Sequence, residues 1–181
     1  MLWRKFREDS ILDDGGIMKA TIRRARIADV DAIRDFVRQA TRARLDPSGD
    51  EVFDRLAERG MLLAFSPERE LVGLVSWRVE NLVARILDFL VYPLDLRPTV
   101  GRQLIEAVEE EARRLECEAC MIYVSPEVSS GALAFYMGLG YTRWPEESLS
   151  EPWREAAHEF DALGRVALIK QIRAERVTRP I

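Results

Sequence analysis

The order of segments between Ile86 and Tyr141 constrains this chain most. An apolar run, Ile86-Leu-Asp-Phe-Leu-Val-Tyr-Pro93, leads through the short Leu94–Val100 loop into a helix opening near Gly101-Arg102. A second apolar run, Ala119–Ser125, is followed by Ser129-Ser-Gly-Ala-Leu-Ala-Phe-Tyr-Met-Gly-Leu-Gly-Tyr141. A strand feeding a short loop and a helix N-terminus builds an anion site, because unpaired backbone N–H groups and the helix dipole point at one spot. A following strand and helix that deliver one phenol nearby add a candidate proton donor.

The flanking sequence predicts a mixed sheet. Thr21–Ala25 alternates as a first strand, and Asp29 is placed to cap a helix reaching about Arg44. Asp46-Pro-Ser-Gly-Asp50 is a turn cluster before a second short helix closed by Gly60. Met61–Phe65, Leu71–Val79 and Val83–Tyr92 read as strands, the last two joined by a tight turn at Glu80-Asn81. Leu104, Ile105, Val108, Ala112 and Leu115 make one stripe of a helix from Gly101 to Glu116. Its Glu109–Arg113 and Glu110–Arg114 pairs have the favourable i,i+4 polarity, so the acidic face reads as solvated. Tyr141–Trp144 and Val166–Ile172 are the last strands, and Glu151–Phe160 between them is helical in pattern. The order is β-α-α-β-β-β-α-β-α-β-β, a mixed α/β sheet with helices before and after a meander.

At 181 residues, 48% apolar and 32% charged, the chain suits a single globular domain over residues 18–174, with a tail at 175–181. A net charge of −4 argues against nucleic acid as a partner. No apolar stretch is long enough to span a membrane. The sole histidine, His158, and two cysteines, Cys117 and Cys120, are too few for a zinc site. That C-x-x-C pair follows a helix rather than opening one, so it reads as buried small side chains, and reduced thiols fit the cytoplasm. Residues 1–17 stand apart. Gly15-Gly16 upstream of Met18 could be encoded by a ribosome-binding sequence, so we expect translation to start at Met18. Finding residues 1–17 by mass spectrometry of the native product would overturn this. The rival is a short amphipathic arm bearing Leu2, Trp3 and Phe6.

The Ile86–Tyr141 order resembles the core of the GNAT N-acetyltransferases. The pattern Ala132-x-x-Phe135-Tyr136-x-x-x-Gly140-Tyr141 is similar to the family's A-x-x-[FY]-Y-x-x-x-G-[FY] element, and Arg97-Pro-Thr-Val-Gly-Arg102 stands where the family carries R-G-x-G-x-G/A. The resemblance implies a mostly antiparallel GNAT-type sheet, acetyl-CoA as co-substrate, and transfer of its acetyl group to an amine on a small molecule or peptide.

By that resemblance, backbone groups of Leu90, Val91 and Tyr92 cradle the pantetheine and thioester, on a strand that splays from its neighbour. The same residues also suit an ordinary central strand. Amides of Thr99, Val100, Gly101 and Arg102, with Arg97, face the pyrophosphate. Two family glycines are missing here and Pro98 has no N–H, which weakens that site; a loop that merely starts the helix is the plain alternative. Ser129 stands where relatives often have Asn. Tyr136 is the implied acid for the departing thiolate, whereas Phe135, Leu139 and Tyr141 read as core. Asp88 is a candidate base, or else a partner for Arg85 or Arg78, and Glu80 is the fallback. Trp144, Trp153 and His158 stand where the acceptor site is often bordered. A non-catalytic module that binds CoA or a protein is the alternative, and dimerisation through the last strands stays open.

Overall fold

The computed structural model describes residues 18–125, 130–144, 151, 154 and 166–173. Its elements are β1 (Thr21–Arg24), α1 (Val30–Ala40), α2 (Gly49–Glu58), β2 (Gly60–Phe65), β3 (Leu71–Glu80), β4 (Val83–Val91), α3 (Arg102–Arg114), β5 (Ala119–Val124), α4 (Ser130–Gly138), β6 (Thr142–Arg143) and β7 (Val166–Gln171). This is the order the sequence predicts. The seven strands hydrogen-bond in the order β1-β2-β3-β4-β5-β7-β6. Pairs β1–β2, β5–β7 and β6–β7 are antiparallel, and β4–β5 is parallel. The result is a mixed, mostly antiparallel sheet with helices. The chain divides into two compact units, one holding residues up to Leu74 with Leu90–Ile105, the other Val75–Phe89 with residues from Glu106 onward.

In the first unit, Ile33, Phe36 and Val37 of α1 pack with Val52 of α2, Met61 and Leu63 of β2 and Leu74 of β3. Each such side chain, fully buried, contributes about 1.5–3 kcal/mol. α1 ends four residues before the expected Arg44. Arg42 and Ala43 adopt left-handed φ values of 53° and 57°. The Thr41 hydroxyl donates to Val37 O and accepts the Leu45 N–H, which closes the helix. Asp29 precedes α1 but its carboxylate does not cap it. It takes two bonds from the Arg23 guanidinium and one from the Arg26 N–H instead. The start of α2 is a capping box the turn reading missed: the Glu51 N–H donates to Ser48 Oγ and the Ser48 N–H to Glu51 Oε2. The S-x-x-E spacing was its signal.

In the second unit the β3–β4 turn falls at Asn81 and Leu82, with φ of 48° and 61°. Two positive φ values define the hairpin turn whose twist suits the flanking strands, although Leu is an unusual occupant. Val83, Ala119, Met121 and Ile169 form a core against Tyr123 and Trp144. Gly140, at φ 89°, ends α4 in the left-handed conformation, and the Tyr141 N–H donates back to Tyr136 O. Cys117 and Cys120 are free and buried. Leu115, expected in the α3 stripe, lies past the helix end and is exposed.

Candidate functional site

The segment after β4 differs from the open loop expected of it. Leu94–Leu96 forms one 3-10 turn and Arg97–Gly101 one π-helical turn that runs directly into α3. The physical reason is the missing glycines. Pro98 fixes φ near the helical value, and Val100 and Gly101 are buried against the fold. The Thr99 hydroxyl donates to Leu96 O at 3.1 Å, and the Arg102 N–H donates to Thr99 O. Single π-helical turns inside helices recur at functional sites. Arg97 keeps its Nε buried with no hydrogen-bond partner among the described residues. An unanswered guanidinium N–H beside a helix start suits a phosphate oxygen.

Gly73 of β3 makes room for this segment. A Cβ there would lie 2.8 Å from Leu104 Cδ1, 3.4 Å from Leu90 O and 3.5 Å from Val100 Cγ1. The α3 start and β4 therefore approach β3 as closely as only glycine permits. Of the expected cradle, Val91 is buried, while Leu90 and Tyr92 are half-buried against the α1–α2 core. The Tyr92 N–H donates to Val72 O at 3.0 Å.

In the second unit, the β4–β5 ladder pairs Val83–Ile86 with Ala119–Ile122 and stops there, although β4 runs on to Val91 and β5 to Val124. Asp88 lies just past the last rung. Its carboxylate accepts the Ser76 hydroxyl at 2.6 Å, and its own N–H donates to Ser76 Oγ at 3.2 Å. Arg78, one of the arginines expected near Asp88, pairs with the fallback base Glu80 at 3.0 Å.

Tyr136 on α4 is 8% exposed and sits among three rings. Phe89 lies at 6.1 Å, Phe135 edge-on at 5.2 Å, and Tyr141 edge-on at 6.2 Å. Phe89 itself stacks on Phe135 at 5.9 Å. The sequence reading assigned Phe89 no part, because nothing in the strand pattern distinguishes a ring that packs on α4. Behind Tyr141 lie Glu109, Lys170 and Cys120. Lys170 Nζ donates to Glu109 Oε2 at 2.7 Å, so Glu109 is not the solvated residue its helix pattern predicts. Burial pushes the Cys120 thiol up to about 12, reinforced by Glu109. Burial also raises the Tyr141 phenol far above its usual range. Its hydroxyl is beside Glu109 and Cys120 but in good hydrogen-bond geometry with neither.

Trp144 packs on the β4–β5–β7 core and donates its indole N–H to Thr142 Oγ1. Ser129, Trp153 and His158 lie outside the described residues. Among the described residues, no cluster of metal-ligating side chains occurs, and no helix is long and apolar enough to cross a membrane.

The parallel ladder that stops midway and the ring-caged tyrosine both lie in the second unit, and the Arg97–Gly101 turn lies in the first. The sequence model of the Acetyltransferase (GNAT) family matches residues 30–141, and the chain belongs to that family. Solved structures agree on the fold. A GNAT-family acetyltransferase from Staphylococcus aureus is 13% identical, with a TM-score of 0.65 over 86% of this chain and 100% of that one. A phosphinothricin acetyltransferase from Sinorhizobium meliloti in complex with AcCoA is 15% identical, with a TM-score of 0.66 over 91% and 94%. The ribosomal-protein-S18-alanine N-acetyltransferase from Escherichia coli is 15% identical, with a TM-score of 0.64 over 90% and 100%. No curated protein matches the sequence.

Proposed function

We propose that this protein moves an acetyl group from acetyl-CoA to an amine, on a small molecule or a peptide, by direct attack in a ternary complex. The observation that carries this reading is the end of the β4–β5 ladder at Ile86–Ile122. Beyond it, strand backbone is left to bind something other than a neighbouring strand. Successive N–H groups of a strand point to opposite edges. Because the Tyr92 N–H serves Val72, the Val91 N–H is the donor aimed away from β3. In this reading Leu90, Val91 and Tyr92 hold the thioester, with Val91 stabilising the oxyanion.

The acceptor arrives as an ammonium ion and attacks as the neutral amine once Asp88, held by Ser76, takes one proton directly or through water; a second N–H proton passes to water as the amide forms. The nitrogen lone pair adds to the thioester carbon, the C–S bond then breaks, and the thiolate takes the Tyr136 proton. A phenol with a pKa of about 10 is protonated at neutral pH and matches a thiolate of similar basicity. Arg97, Thr99, Val100, Gly101 and Arg102 serve the pyrophosphate in this reading, with Ser129 at the α4 start. Arg97 supplies the strongest term, since its Nε is unanswered and the Arg102 N–H is already engaged. The free, buried thiols suit a reducing compartment such as the cytoplasm.

Titration calorimetry with acetyl-CoA tests the reading. Micromolar binding, unchanged in Tyr136→Phe, together with a loss of turnover of about tenfold or more in that variant supports it. Absence of acetyl-CoA binding overturns it. One observation favours a second reading, a non-catalytic module: the closed turn at Arg97–Gly101 replaces the family's glycine-rich loop. That reading requires acetyl-CoA binding without CoA release in the presence of any amine.

A further inference from the structure

The first unit contains a cleft of about 620 Å³ that no step above uses. Ala32, Asp35, Phe36 and Gln39 from one face of α1 form one wall, and Glu70, Leu71 and Val72 at the start of β3 form the other. Tyr92 and Pro93 close its end. Its volume falls within the range of small-molecule sites. Its floor is apolar and aromatic: Phe36 and Val72 are buried, and Leu71 and Tyr92 half-buried. Its rim carries two carboxylates and an amide, all in contact with solvent.

The charges discriminate between ligands. Asp35 already has Arg34 at 3.9 Å, and Arg38 and Arg42 line an adjoining groove that it shares. Glu70 has no ion pair among the described residues; its backbone is engaged, the N–H donating to Ser66 Oγ and the carbonyl accepting the Ser66 N–H. An anionic ligand would meet two carboxylates here, and a wholly apolar one would leave them unused. A cation with an apolar body satisfies both surfaces. Its charge meets Glu70 and Asp35, and its body lies on Phe36 and on the Tyr92 ring, where a cation also gains from the ring quadrupole.

We propose that the cleft between α1 and the start of β3 binds an organic ammonium ion with an apolar body, and that acceptors of this protein belong to that chemical class. The assignment as acceptor rests on the acetyl-transfer reading, because Tyr92 belongs both to this cleft and to the backbone group proposed to hold the thioester. Glu70 makes the principal charge contact, and Phe36 with Tyr92 holds the body.

Benzylamine at neutral pH is the probe, with benzyl alcohol as the uncharged control, titrated into the full chain and followed by calorimetry. Benzylamine is expected to bind saturably and about tenfold more tightly than the alcohol. Glu70→Gln should weaken benzylamine by about threefold or more, and Asp35→Asn by less. Ala32→Trp, an exposed position on the cleft wall, should abolish binding while the circular dichroism stays native. Equal affinity for the alcohol overturns the proposal. So does unchanged benzylamine binding in both Glu70→Gln and Ala32→Trp, and so does no binding at all. Acetyl-CoA is titrated into the same sample. If acetyl-CoA binds and benzylamine does not, the cleft assignment falls alone. If benzylamine binds and acetyl-CoA does not, the cleft remains an ammonium site and its role as an acceptor seat falls with the acetyl-transfer reading.

Discussion

Lys170 Nζ lies 2.7 Å from Glu109 Oε2 in a pair whose two ends differ in access to water. The Glu109 side chain is 3% exposed and that of Lys170 is 25% exposed. Removing either partner of a buried pair leaves a charge uncompensated, and the loss is larger where that charge cannot reach solvent. Lys170→Met leaves the buried carboxylate, among the described residues, with Arg113 at 3.6 Å, and should cost about 3 kcal/mol. Glu109→Gln leaves an ammonium that can turn outward, and should cost about 1–2 kcal/mol. Urea unfolding of the two variants measures the difference; equal losses would refute the asymmetry.

The Arg23–Asp29 pair predicts an acid-sensitive start to α1. The Arg23 hydrogen bonds, followed by the Arg26 N–H, hold the Asp29 carboxyl below its ordinary 3.8. A carboxyl lowered in the folded state contributes stability above its unfolded pKa and loses it as pH falls through the folded value. Asp29→Asn should therefore destabilise by about 1 kcal/mol at neutral pH. The gap to wild type should start to narrow near pH 4 and keep narrowing as pH falls through the lowered folded value, below which the carboxyl is protonated in both states. Thermal melts from pH 7 down to pH 3 would show the convergence, and a constant gap would contradict it.

Gly73 should tolerate no side chain unless Leu104 yields. Gly73→Ala sets a methyl 2.8 Å from Leu104 Cδ1 and is expected to cost about 1–3 kcal/mol by overpacking. Combined with Leu104→Ala, the added methyl fills part of the space that change leaves, so the double variant should be more stable than the sum of the two single losses. A double-mutant cycle by chemical denaturation measures that coupling. Simple additivity would mean that Leu104 does not set the spacing.

Alkaline pH should loosen the second unit through Cys120 and Tyr141. Burial raises both, and a group raised in the folded state stabilises fully only below its unfolded pKa. The unfolded chain ionises from about pH 9 for the thiol and pH 10 for the phenol, while the folded chain resists. Stability should thus decline from about pH 9 upward, with a shallower decline in Cys120→Ala. Tyr141→Phe removes a hydroxyl that has no well-formed partner, so it should change neutral-pH stability by less than about 1 kcal/mol and also flatten the decline. An unchanged alkaline slope in both variants would place the sensitivity elsewhere.

The fold was legible because its strands and helices differ in period and its turns carry marked residues. Leu104, Ile105, Val108 and Ala112 announce α3, and Gly140 announces the end of α4. Boundaries failed where side chains override propensity, as when the Thr41 hydroxyl stops α1 short of Arg44. Of the site, the Ala132–Tyr141 pattern led to Tyr136, but not to its Phe89 neighbour across the unit. Asp88 was singled out as a candidate, whereas its hydrogen bond with Ser76 was not foreseen, since a contact between strands twelve residues apart has no local signature. Glu109 was misread as solvated: an i,i+4 pattern records its helix neighbours but not a lysine from β7.

The π-helical turn at Arg97–Gly101 has a consequence for heat rather than geometry. A glycine-rich loop samples many conformations when empty, and a nucleotide must freeze them on arrival. Here Pro98 and the helical hydrogen bonds have already done so during folding. If this turn receives the pyrophosphate, the association should carry a small entropic penalty and an enthalpy limited by the few donors that remain. The cofactor would then be held weakly, by a surface that does not rearrange to meet it.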